Sequence, residues 1–278
     1  MFERIESPAG LAYYRSSLLA QAGVPHGFST RIANQGQECD LAAVAADASS
    51  PSLGMTGAYQ QFLQAAGCGD FPLVYLKQVH GKAVQVADAS DAGQPREADG
   101  LVTASPGVAL SIRVADCVPI LLAAVRHSQV IAVSAVHAGW RGVVAGIVHE
   151  AIRTLHQQPG VGDARLLAAI GPCISCQHFE VGPEVATAFT DCGLDAAIVP
   201  QPGGAKPHID LQLACRLQLL ASGLTDQDID SSHLCTYSDR RDFYSHRRDH
   251  GQTGRLAAVI PLPAGSPESV RQADSTTR

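Results

Sequence analysis

Several things are scarce in this chain, and each absence removes a class of protein. No stretch reaches the roughly 18 to 20 apolar residues that a bilayer-crossing helix needs, so no membrane partner is expected. The opening MFERIESPAG has an early acid and no apolar core of signal-peptide length, which predicts a cytoplasmic protein. Positive charge is also short. With a net charge of -6 and basic residues scattered until a late cluster, no broad basic face is available for a nucleic-acid partner. There is no internal repeat and no Pro/Ser/Gly linker dividing two self-sufficient halves. Aromatic residues make up only 5%, with Trp140 the single tryptophan, so a lone indole has to serve either as a packing anchor or as a base-stacking surface; packing is the expectation.

Cysteine, by contrast, is present eight times, yet not as a secreted disulfide framework, which is a device of short domains with small cores. Reduced thiols are expected, several of them plain buried apolar residues. A 278-residue chain that is 46% hydrophobic can bury a large core. Apolar runs of strand length occur at FPLVYLKQV, KAVQVAD, VALSIRVA, VPILLAAV, QVIAVSAV, ARLLAAI and RLAAVIPL. Helical periodicity occurs at GAYQQFLQAAG, VVAGIVHEAIRTLHQQ, PEVATAFTDCG and LQLACRLQLLASG. The pattern predicts the α/β (α+β) class, with mixed β-sheets and helices packed outside. Residues 1–262 are expected to form a single catalytic domain, 263–278 a flexible tail, and 33 to 57 a second poorly ordered stretch.

Three metal-seeking side chains stand at the ends of apolar runs. His80 follows FPLVYLKQV, Cys117 follows VALSIRVAD, and His137 closes QVIAVSAV. Donors of this kind suit zinc, with copper possible, and converging strand ends would bring them to one point. Two imidazoles and a thiolate leave a fourth position open, the mark of a catalytic rather than a structural zinc. Their spacing matches no local zinc motif, so the fold has to supply the convergence.

The strings KQVHG (77 to 81), ADG (98 to 100), ADCVPILL (115 to 122), VHAGWRG (136 to 142), IGPCIS (170 to 175), FEVGPEV (179 to 185) and FYSHRRDHGQTGR (243 to 255) resemble one known family. It is the purine nucleoside phosphorylase family that also goes by polyphenol oxidoreductase (laccase) and peptidoglycan editing factor. The resemblance runs from about Gly27 to Pro261. It implies a layered α/β sandwich of mixed sheets and a metal site made by His80, Cys117 and His137. It also implies phosphorolysis of adenosine, inosine, guanosine and methylthioadenosine, with adenosine deamination. The implied partners are a small nucleoside and phosphate, on a monomer or small homo-oligomer. One departure bears on substrate range near Arg31: members follow FSTR with a short Gly-Gly-Val-Ser type loop, whereas here it runs into IANQGQECDLAAVAADASS.

For the phosphate, the glycines of AGWRGVVAG could free backbone N–H groups at a helix start. Among side chains, Arg248 in SHRRD and Arg31 after Phe28-Ser29-Thr30 are the candidates, because a guanidinium fork suits an anion. Asp116, Asp99 and Asp249 are candidates for proton transfer. Cys173-x-x-Cys176 lacks the second pair of a zinc knuckle, and His246 and His250 lack the HExxH pattern. The chief rival scheme is a cysteine-dependent amide hydrolase acting on peptidoglycan precursors. In it Cys117 is the nucleophile, His137 or His80 the base and Asp116 or Asp99 the orienting acid. A copper-dependent polyphenol oxidase is a weaker alternative, and a non-catalytic binding protein a third.

Overall fold

The computed structural model describes residues 1–8, 10–33, 39–41 and 57–263. The tail expected at 263–278, except for its first residue, and most of the stretch expected at 33 to 57 lie outside the described residues. Two six-stranded mixed sheets carry the fold. The first runs in the order β1 (Phe2–Glu6), β2 (Ala12–Ser16), β3 (Gly27–Ser29), β14 (Leu256–Leu262), β7 (Val108–Val114) and β4 (Leu73–Tyr75). The second runs β13 (Ile229–Ser231), β10 (Arg165–Ile170), β8 (Val118–Arg126), β9 (Gln129–Ala138), β6 (Gly100–Thr103) and β5 (Val84–Val86). A two-stranded ribbon pairs β11 (Ile198–Val199) with β12 (His208–Ile209).

Alternation along the strands sorts side chains into three cores, and so into four layers. In β7, Val108, Leu110, Ile112 and Val114 point between the sheets, where they meet Leu121 and Ala123 of β8 and Val133 and Ala135 of β9. Ala109 of β7 faces outward to Tyr59, Phe62 and Leu63 of α2 (Gly57–Ala65). On the other outer face, Ile120 and Leu122 of β8 and Val136 of β9 pack under α4 (Ile147–His156), α5 (Pro183–Asp191) and α6 (Leu211–Ala221). Two short helices, α1 (Ser17–Gln21) and α3 (Trp140–Val144), sit at connections. All seven predicted strands occur; β7, β8, β10 and β14, largely buried on both faces, read as continuous apolar runs, while β5 is a half-exposed edge strand.

The strand before His80 is shorter than expected. β4 ends at Tyr75, and the chain leaves the ladder to place His80 in a turn with φ +60°. The helix expected over VVAGIVHEAIRTLHQQ is two helices, because Gly146 adopts φ +84° between α3 and α4. Pro119 is the second residue of the central strand β8, paired with His137, and its carbonyl accepts the Gly171 N–H at 2.8 Å.

Candidate metal centre

The antiparallel pairing of β8 and β9 puts the start of one beside the end of the other. Val118 pairs with Ala138 and Pro119 with His137, so Cys117, immediately before β8, lies next to His137. β6 pairs with β9 in the register Gly100 to Val136, which brings Asp99 to the same end of the sheet. The connection between β4 and β5 crosses this end as well, held to β7 by Gln78, whose side chain accepts the Arg113 N–H at 2.8 Å and donates to its carbonyl at 2.7 Å. It delivers His80.

The ligating atoms of His80, Cys117 and His137 all lie within 4.8 Å of one another. The two imidazoles stand edge to face, with ring centroids 4.9 Å apart at 84°. Burial grades across the trio, from buried His137 through half-buried Cys117 to exposed His80, so the site opens to solvent on the His80 side. Its floor is Gly139. A β-carbon there would lie 3.1 Å from Cys117 Sγ and 3.2 Å from His80 Cδ2, inside ordinary contact distance.

Burial works against a charged Cys117, but the charge of His137 and hydrogen bonds from His137 and His80 outweigh it and bring the thiol down to about 6. Burial equally opposes charge on His137. The adjacent Cys117 thiolate and the hydrogen bond to Asp99 overcome it, holding the imidazole up to about 9. This is the balance of a site built to hold a positive charge against a thiolate, and a metal ion can take the place of the shared proton. The donor set, two nitrogens and one sulfur with one side open, fits zinc or a similar soft-to-borderline ion. Among the described residues it is the only such cluster of three or more donors.

Two carboxylates adjoin the trio, Asp99 against His137 and Asp116 next to Cys117 in the chain. Asp99, fully buried, accepts the Nδ1–H of His137 at 2.8 Å, and its carboxyl sits below the usual range: burial opposes the charge, but that bond and the Gly81 N–H outweigh it. Asp116, in the left-handed region at φ +90°, accepts from the Thr236 hydroxyl at 2.6 Å and the Arg247 N–H at 2.7 Å, tying the 232 to 255 segment to the base of Cys117. Asp249 is committed to Arg248 at 2.9 Å and to Thr253. All three carboxylates proposed for proton transfer thus hold structure.

The two arginines separate. Arg248 is corrected from an anion ligand to an internal brace: its Nε donates to Asp249, one terminal nitrogen to the carbonyls of Thr236 and Tyr237, the other to Phe243 O and Asp249, and the residue is 9% exposed. Arg31 lies over the Tyr244 ring at 4.6 Å and reaches the surface, where it contacts the Arg240 carbonyl at 3.3 Å. Of the glycines of AGWRGVVAG, Gly139 and Gly142 allow close packing, a β-carbon on Gly142 meeting the Gly81 carbonyl oxygen at 2.8 Å, while Gly146 supplies the positive φ that separates α3 from α4. Trp140 is half-buried on the helix-side core, with Arg141 over its ring at 4.5 Å. Cys173 is buried with its thiol pushed up, Cys176 is half-buried, and His246 and His250 sit on an exposed turn. Sequence reasoning missed Thr236, which carries no recognisable spacing, and read Gly139 only as one of the glycines at a helix start, not as the floor of the centre.

A layered mixed-sheet sandwich with a His-Cys-His cluster at one end of a central antiparallel pair defines a class of candidate metalloenzyme. The chain belongs to the family described as multi-copper polyphenol oxidoreductase laccase, which matches residues 26 to 263. It is 38% identical over 256 residues to a purine nucleoside phosphorylase of Deinococcus radiodurans, covering 91% of this chain and 94% of that one. It is 37% identical over 198 residues to adenosine deaminase RL5 from an unknown prokaryotic organism, covering 68% and 74%. The fold is that of the hypothetical protein YfiH of Bacillus licheniformis, with a TM-score of 0.79 at 23% identity over 94% of this chain and 98% of that one. Among the described residues no helix is long and apolar enough to cross a membrane.

Proposed function

We propose that His80, Cys117 and His137 hold one zinc ion and that the chain is a purine nucleoside phosphorylase acting on adenosine, inosine, guanosine and methylthioadenosine, with adenosine deaminase activity. The observation that carries this reading is the convergence of three donor atoms within 4.8 Å at an open end of the sheet, in a chain whose relatives bear those names. Bound there, zinc would supply Lewis acidity at the position the side chains leave open.

The chain's own residues do the rest. Cys117 is held ionised by a protonated His137, so the proton that the trio gives up to a metal ion is the one His137 shares with the thiolate. Phosphorolysis needs phosphate placed against C1′ of the ribose as the purine departs, with positive charge spreading over the sugar ring. We assign the positioning of that anion to Arg31, the surface-reaching guanidinium of the two candidates. In deamination water replaces the 6-amino group, which leaves as ammonia.

The purified protein, incubated with inosine and phosphate, is expected to release hypoxanthine and ribose-1-phosphate, and to convert adenosine to inosine. Arg31→Ala should raise KM for phosphate. If neither free base nor ribose-1-phosphate forms and adenosine is untouched, the nucleoside reading fails. A second reading is favoured by one observation: the ionised Cys117, His137 and Asp99 make a nucleophile, base and orienting acid in hydrogen-bonding order, as in a cysteine-dependent amide hydrolase. Metal content separates the two. Protein isolated without chelator is expected to carry about one zinc per chain, whereas metal-free protein inactivated by thiol alkylation would support the hydrolase.

A further inference from the structure

Asp99 holds the imidazole of His137 and the backbone of His80 without being a candidate ligand. It is fully buried, and its carboxylate accepts four hydrogen bonds. Oδ1 takes the Nδ1–H of His137 at 2.8 Å and the backbone N–H of His80 at 2.9 Å. Oδ2 takes the backbone N–H of Gly81 at 2.6 Å and of Val79 at 3.3 Å. Its own backbone is fixed on both sides, since its carbonyl accepts the His137 N–H at 2.8 Å and its N–H donates to Ala83 O at 2.9 Å.

Three consecutive N–H groups converging on one anion form a backbone nest. That nest has a specific task here. His80 has φ +60°, a conformation that a non-glycine residue keeps only when its surroundings over-determine it. The chain leaves β4 at Tyr75 and would not present His80 to the centre without this turn. On the other side, a carboxylate holding Nδ1–H leaves Nε2 as the nitrogen of His137 available to a metal.

We propose that Asp99 is the positioning residue of the metal centre, setting two of its three ligands at once: it fixes the tautomer and ring of His137 and it clamps the turn that presents His80. This rests on the zinc reading above. Asp99 touches no reacting atom, so its contribution passes wholly through those two ligands.

Asp99→Asn tests it, because the amide keeps the volume but loses the charge and half the acceptors. Its NH2 must face either the turn, where it opposes two N–H donors, or His137, where it disfavours the Nδ1–H tautomer. Zinc affinity, measured by competition with a chromogenic chelator, is expected to fall about 10- to 100-fold, and the ligand-field spectrum of the cobalt-substituted variant to change. A purely structural carboxylate would lower Tm and leave both readouts alone; a D99N protein with wild-type zinc affinity and cobalt spectrum therefore overturns the proposal. Should D99N not fold, the zinc-loaded wild type labelled with 15N-histidine gives the answer. His137 is expected to carry its proton on Nδ1 and the metal on Nε2, and metal on Nδ1 overturns the proposal. Wild-type protein that takes up no zinc overturns the zinc reading together with this one, whereas zinc uptake indifferent to Asp99 overturns this one alone.

Discussion

Gly139 shows how little room the centre leaves. Its missing side chain is the space in which Cys117 Sγ and the His80 ring approach each other, and the β-carbon of an alanine would stand 3.1 and 3.2 Å from them. Gly139 has φ -73° and ψ 162°, which any residue can adopt, so the substitution adds no backbone strain. Gly139→Ala is therefore expected to fold with a near wild-type Tm yet bind zinc at least about tenfold more weakly, since the displaced ligands cost on the order of 1.4 kcal/mol or more. Calorimetric titration with zinc checks it; unchanged affinity would show that the trio has slack the distances do not suggest. The candidate donors themselves were readable as residue types at the ends of apolar runs. Asp99 was nameable only as one acid among three, because its partners are backbone groups and a histidine brought in by other strands, and no spacing along the chain encodes that.

At the level of elements, legibility follows burial. β7, β8, β9 and β14 are buried on both faces and read as unbroken apolar runs, whereas β1, FERIE, is half-exposed and β6, GLVT, is four residues long, so neither has a pattern that stands out. The missed junction between β2 and β3 hides a titratable lock. His26 is buried, its Nε2 accepting the Ser16 N–H at 2.9 Å at the end of β2 and its Nδ1 donating to Val24 O at 2.8 Å. Burial, the largest influence, pushes its pKa down to about 4. The folded state thus refuses a proton that the unfolded chain, with a histidine near 6.5, accepts. Stability contributed by the neutral ring is present above about 6.5 and is lost as pH falls from there toward 4, by up to about 3 kcal/mol. Urea midpoints measured across that window should decline in the wild type and stay nearly flat in His26→Gln; parallel curves would place the acid sensitivity elsewhere.

For the whole molecule, the three donors come from three different places in the fold. His80 sits in the crossing from the first sheet to the second, Cys117 in the tight link between β7 of the first and β8 of the second, and His137 on β9 of the second sheet itself. A metal ion bound by all three would cross-link the two sheets at one end, over an inter-sheet core that runs to Val114 and Leu256. Because the unfolded chain scatters these donors, binding is linked to folding. With free zinc at a hundred times its Kd, the linkage adds about 2.7 kcal/mol, which in a domain of this size raises Tm by roughly 5 to 10 °C. Thermal unfolding with zinc and with chelator is expected to show that gap in the wild type, to shrink it in Cys117→Ser, and to leave the chelator-treated curves of the two proteins close together. Hydrogen exchange should localise the change to the 76 to 83 connection and the start of β8, because those segments gain an anchor only when the metal is bound. An equal zinc shift in Cys117→Ser would mean that the ion stabilises the fold from somewhere other than this trio.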